Sequence, residues 1–175
     1  MPRIHLGHTL VVILLGTAGC SAPPARTSQS GTTQRPATAQ PSSAIEYKNQ
    51  QYDFCFSLPA SWKGYSIVTD QWDGYNNKTS QDEHGPLISI RHPLWTKENQ
   101  RQDIPIMVLT RAQSDSIQKE DLHIGGAPIP PSGIGGNEKY VFALPARYNF
   151  TGLDGVEEVD TIMRSNPLHG SCKSH

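Results

Sequence analysis

Signatures of catalysis and of nucleic-acid binding are missing from this sequence. No H-E-x-x-H, C-x-x-C or paired-histidine spacing occurs, so nothing gathers metal ligands and no metal site is expected. No G-x-S-x-G turn is present to expose a serine nucleophile, and no catalytic residue is assigned. Residues 133–136, Gly-Ile-Gly-Gly, follow Pro130-Pro131 and run toward a strand. A phosphate cradle needs a strand before it and a helix start after it, so this stretch reads as a bend and no cofactor is expected. Charge is nearly balanced, with 15 Lys and Arg against 16 Asp and Glu. That balance gives no footprint for nucleic acid, and no basic cluster marks a lipid surface. Cysteine is scarce, at three residues.

What is present begins at the N-terminus. Arg3 precedes the apolar run Leu10–Leu15, and the small residues Gly16, Thr17, Ala18 and Gly19 lead to Cys20. The run is far shorter than the ~20 residues needed to cross a bilayer, so residues 1–19 read as a secretion signal. Thr-Ala-Gly-Cys resembles the lipobox of bacterial lipoproteins, which implies a diacylglycerol on Cys20 and a membrane partner held through that lipid. Ser21 rather than Asp follows it. In a diderm bacterium that favours the periplasmic face of the outer membrane over the inner one. Residues 21–43 contain only Ser, Thr, Pro, Ala, Gln, Arg and Gly. With so little apolar surface to bury, residues 20–43 are expected to form a disordered tether. Its 23 residues beyond Cys20 would reach about 26 Å on average.

Residues 44–168 carry the pattern of one globular domain, followed by a tail at 169–175. Ile45–Tyr47, Tyr52–Leu58 and Tyr65–Thr69 read as strands, with Pro59 ending the second. The polar, turn-rich residues 70–85 read as a long surface loop. Leu87–Arg91, Ile104–Thr110 and Tyr140–Leu144 are further strands, and residues 125–136 a loop. Ala112–Leu122 is a thin helix candidate, with Ile117 and Leu122 its strong apolar anchors. A second helix has Val156, Val159, Ile162 and Met163 on one face. Asp154 and Glu157 suggest a capping box before it, and Asp160 and Arg164 an i,i+4 pair. The expected class is α+β, a mostly antiparallel sheet flanked by one or two helices.

The run Tyr52, Phe54, Phe56, Leu58, Pro59, Trp62, Lys63, Gly64 and Tyr65 resembles the opening hairpin of PsbP-like domains. Segments 85–95, 102–108 and 140–150 are similar to a family of uncharacterised bacterial proteins. The resemblance spans roughly residues 45–168 and implies an α/β/α sandwich. It supplies no catalytic residues.

Alternation in the second strand puts Cys55 on the polar face, opposite Phe54 and Phe56. With Cys20 committed to lipid, Cys55 and Cys172 either form a disulfide, favoured by an oxidising compartment, or stay as two thiols. Histidines 84, 169 and 175 read as solvent-facing. The candidate binding surface is Arg91, His92 and Trp95, with Arg147 and Tyr148 as neighbours, because both segments follow strand ends. Trp72 and Tyr75 would add exposed aromatic character from the long loop. The expected function is a tethered, non-catalytic binding or accessory domain outside the cytoplasm, with an envelope protein or small ligand as partner. The alternative is a hydrolase with its site near Arg91 and His92.

Overall fold

The computed structural model describes residues 44–172. The expected signal, Cys20 and the tether lie outside the described residues.

A four-residue turn at 50–53 joins the first two strands of the domain. Strand β1 (Ile45–Asn49) pairs antiparallel with β2 (Phe54–Leu58), placing Ile45 opposite Leu58 and Asn49 opposite Phe54. Asn49 Oδ1 accepts the Tyr52 backbone N–H at 3.0 Å, and Asp53 takes a left-handed conformation to finish the reversal. Pro59 then starts a short 3-10 turn, Ala60–Trp62. A long hairpin follows, β3 (Ser66–Asn76) with β4 (Gln81–Arg91). After it come β5 (Ile104–Thr110), helix α1 (Arg111–Gln118), β6 (Leu122–Ile124), β7 (Ser132–Gly136), β8 (Tyr140–Leu144), helix α2 (Val156–Arg164) and β9 (Leu168–Gly170). Every strand pairing is antiparallel. The class is α+β with mostly antiparallel sheets.

Two sheets result, of order β1-β2-β9 and β6-β3-β4-β5-β8-β7. Alternation along the larger sheet divides its side chains between two apolar clusters. Ile88, Ile90, Ile104, Ile106, Val108 and Phe142 face one side, where they meet Phe54, Phe56, Leu58 and Trp62 with Val159 and Ile162 of α2. Met107, Leu109 and Ala143 face the other side, with Trp72, Leu122 and the half-buried Ile117 of α1. The sheet is therefore covered on both faces, which explains why β5 is apolar almost throughout.

Several elements depart from the sequence expectation. Residues 70–85 are mostly strand, not loop. No period of two is legible there because most of β3 is exposed and only Trp72 and Asn76 are buried. The segment is extended because β4 pairs with it over its whole length. Trp72 is buried at 4 % exposure and donates from Nε1 to the Val108 carbonyl at 3.0 Å. Gly85 lies opposite, and a Cβ there would come within 2.6 Å of the indole, so the tryptophan requires glycine as its neighbour. The expected bend at 133–136 is β7, with a register shift between Gly133 and Gly135. Leu122 belongs to β6 rather than to the first helix, which ends at Gln118.

The caps are also redistributed. Asp154 and Glu157 make no capping box, because α2 starts at Val156 after Gly155, whose φ of 86° only glycine takes without strain. Thr110 and Gln113 form the full reciprocal box on α1 instead. Asp160 and Arg164 do not pair, since Asp160 accepts from Tyr148 and Asn149 while Arg164 donates to Thr161. The expected tail begins with β9, which adds to the free edge of β2 and gives His169 a place opposite Cys55.

Candidate functional site

Cys55 is 2 % exposed, although alternation turns it away from Phe54 and Phe56. Its strand is central in the small sheet, and Cys172 closes over it in a disulfide with a Cα–Cα distance of 5.3 Å. The polar face expected for Cys55 is thus covered by the chain that follows β9. The bridge spans 117 residues of sequence.

Arg91 ends β4, and its guanidinium grips the Asp103 carboxylate from two nitrogens. Nη2 lies 2.8 Å from Oδ2, and Nε lies 3.2 and 3.1 Å from the two oxygens. This two-pronged geometry holds the connection between β4 and β5 closed at its base. The other face of the guanidinium carbon sits 3.9 Å from the Trp95 ring centroid.

His92, one residue on, turns inward by strand alternation and is 5 % exposed. This corrects the expectation that a loop presents it. Its ring packs edge-on against Trp62 with centroids 4.9 Å apart. Nδ1 accepts the Leu94 N–H at 3.1 Å, which assigns the proton of the neutral ring to Nε2. Nε2 faces Glu158 Oε2 at 3.9 Å. Burial holds the His92 pKa below its ordinary value, the Arg101 cation pushes the same way, and Glu158 opposes both.

Glu158 is the hub of this cluster. One oxygen accepts from Ser61 Oγ at 2.9 Å and Trp62 Nε1 at 3.2 Å, and the other meets Arg101 Nη2 at 3.5 Å. Sequence offered no signal for it beyond an acidic residue in the first turn of a helix.

Tyr148 and Arg147 do not join Arg91. Tyr148 donates its hydroxyl proton to Asp160 at 2.8 Å. Glu158 and Asp160 are two residues apart on α2, so they point about 200° apart. Of the five expected surface residues, His92 and Tyr148 therefore meet different faces of α2, while Arg91 with Trp95 and Arg147 with Phe150 are held elsewhere. The Tyr148 pKa is pushed up to about 12 by burial, by the hydrogen bond to Asp160 and by that carboxylate's charge, with Arg164 opposing. Arg147 is exposed, in a left-handed conformation, with its guanidinium 5.9 Å from the Phe150 ring centroid.

Two concave surfaces have the size of small-molecule sites. One, of about 500 Å³, lies between α1 and the outer face of the large sheet. Leu109, Ile117, Leu122 and Val141 line it, Ser114, Gln118 and His123 supply polar groups, and the proline-rich connection from β6 to β7 borders it. The other, of about 600 Å³, lies between the end of β2 and α2, lined by Leu58, Pro59 and Ile162 with Ser61, Thr161 and Glu158. Sequence reading missed both. The only hint of the first was the run 125–136, too rich in Gly and Pro to cover a sheet face closely.

Among the described residues no group of three or more His, Cys, Asp or Glu side chains is placed to hold a metal ion. No helix among them is long and apolar enough to cross a membrane. No family model, curated protein or solved structure matches the chain.

Proposed function

We propose that the chain is a lipid-anchored, extracytoplasmic protein whose PsbP-like α/β/α domain binds a ligand or partner without transforming it. The observation that carries this reading is the groove under α1, where apolar Leu109, Ile117, Leu122 and Val141 meet the polar Ser114, Gln118, Glu120 and His123 on a face of the sheet that the short helix leaves partly uncovered. The Cys55–Cys172 bridge supports a compartment outside the cytoplasm, where such bonds persist. The placement of α1 and α2 on opposite faces of the large sheet supports the α/β/α architecture.

The alternative, a hydrolase built on Arg91 and His92, has less support. Nδ1 of His92 is held by the Leu94 N–H, Nε2 faces a carboxylate already shared by three other side chains, and Arg91 is consumed by Asp103. A substrate has no free base to reach there.

Two measurements test the proposal. The full chain purified from its host carries acyl mass and floats with membranes, and Cys20→Ser abolishes both; acylation or flotation that survives the substitution overturns the anchor. An environment-sensitive apolar dye brightens on binding the folded domain, and Ile117→Glu removes the signal while leaving the melting temperature within a few degrees. Undiminished dye binding by that variant overturns the groove as the site.

A further inference from the structure

The exposed large apolar side chains of the described residues include Phe150 at 75 %, Leu94 at 64 %, Ile129 at 48 % and Ile67 at 37 %. Strand register brings the first two to one end of the molecule. Leu94 follows the C-terminal end of β4, whose neighbour across the sheet is the start of β5, with Ile90 opposite Ile104. Phe150 follows the end of β8, and Ala143 of that strand pairs with Met107 of the same β5. The two connections are joined by Thr151 Oγ1 to Gln102 Oε1 at 2.6 Å and Gln102 N–H to the Asp154 carbonyl at 2.8 Å.

The chain enters the domain at this same end. Ile45 lies opposite Leu58, and Leu58 leads through Pro59 into the turn whose Trp62 packs on His92. Gly64 then passes beside Pro93, whose Cβ is 3.8 Å from where a Gly64 Cβ would stand. Lys63, Lys97 and Arg147 lie in these connections, and Arg147 stands beside the Phe150 ring. The opposite end lies at the turn between β3 and β4, where Asn77 N–H donates to the Asp121 carbonyl at 2.8 Å and Tyr75 is exposed. Charge is mixed at both ends, with Glu98 beside Lys97 at one and Lys78, Lys119 and Lys139 beside the acids at the other, so what distinguishes the first end is its exposed Leu94 and Phe150.

The geometry points to the Leu94–Phe150 end as a membrane-contacting face that rests on the lipid surface to which the chain is anchored. This rests on the lipid-anchored reading of Cys20. An anchor that leads into the domain beside these residues holds them against lipid at high local concentration, and two exposed apolar side chains suffice to bias orientation without binding a bilayer on their own. The arginine and lysines reach the phosphate level while the apolar tips enter the acyl boundary. The end at the turn between β3 and β4 faces away.

The test uses the lipidated full chain on phosphatidylcholine vesicles whose acyl chains carry bromine, a contact quencher of tryptophan. Phe150→Trp is quenched about threefold more than Tyr75→Trp, which reports the opposite end, because only the former reaches the ~5–10 Å depth of the acyl boundary. Adding Leu94→Asp to Phe150→Trp removes that difference while the chain still floats with the vesicles. Flotation with equal quenching at both positions overturns the docking and leaves the anchor standing. Failure to float overturns the anchor and the docking with it.

Discussion

The two faces of the large sheet are built to different standards. One is packed against a second sheet and α2, with aromatic rings in contact: Tyr47 edge-on to Phe54 at 5.7 Å and Phe54 tilted against Phe142 at 4.7 Å between centroids. The other is covered by an eight-residue helix and a proline-rich connection, and it keeps a groove. The difference teaches where a small domain keeps freedom for function. Apolar area on the first face is spent on stability, and the second face retains apolar surface that something else can cover.

Truncations separate the faces most sharply. Phe142→Ala, in the tight cluster at 0 % exposure, lowers the unfolding free energy by about 3–5 kcal/mol in chemical denaturation. Leu109→Ala, under the groove, costs about 2–3 kcal/mol, because an open groove admits water and repacking where a closed core leaves a cavity. Equal losses at the two sites would erase the distinction.

A smaller effect tests the packed face through pH. The folded-state pKa of His92 is lowered, so the unfolded chain binds the proton more tightly. The stability this contributes is fully present above the ordinary histidine pKa of about 6.5 and is lost as pH falls through the folded value. Wild-type stability therefore drops between pH 7 and pH 5 by more than that of His92→Gln, read from denaturation midpoints at each pH. Parallel pH profiles for the two proteins would contradict the buried neutral histidine.

The smallest effect belongs to the helix starts. Thr110→Ala removes the reciprocal cap of α1 and costs about 1 kcal/mol. Asp154→Ala leaves α2 within about 0.5 kcal/mol, since its side chain caps nothing and surface changes away from such features are near neutral. Matched losses in the two variants would mean that the aspartate acts on α2 after all.

Sequence pattern was most legible where one face of an element is buried. The alternation of Phe54, Phe56 and Leu58 and the 3.6-residue spacing of Val156, Val159 and Ile162 gave β2 and α2 directly. It failed where a strand is exposed on both faces, as in β3, or short and glycine-rich, as in β7, because pairing rather than burial makes those residues extended. Cap identity failed for a different reason. Asp-x-x-Glu is a local pattern, and the left-handed Gly155 moved the helix start two residues past Asp154. In the candidate surface, Arg91 and Trp95 are near neighbours in sequence and stack at 3.9 Å, but Glu158 comes from 67 residues downstream of Arg91 and no spacing rule links them.

The strand order leaves one side of the molecule without partners. Strand β1 is the outer member of its sheet, and β6 pairs with β3 only from Gly74 to Asn76. Beyond these and the Asp73 carbonyl, which accepts the Gly125 N–H at 2.9 Å, residues 66–72 thus have one free backbone edge among the described residues. Such edges invite pairing with a neighbouring copy and growth into aggregates. On β1 the exposed Glu46 and Lys48 form an ion pair at 3.0 Å, and Asp70 and Asp73 stand exposed on β3. A second strand added at either edge would have to strip water from those charges. The polar composition that hid β3 from sequence reading is also what keeps neighbouring molecules from polymerising through it.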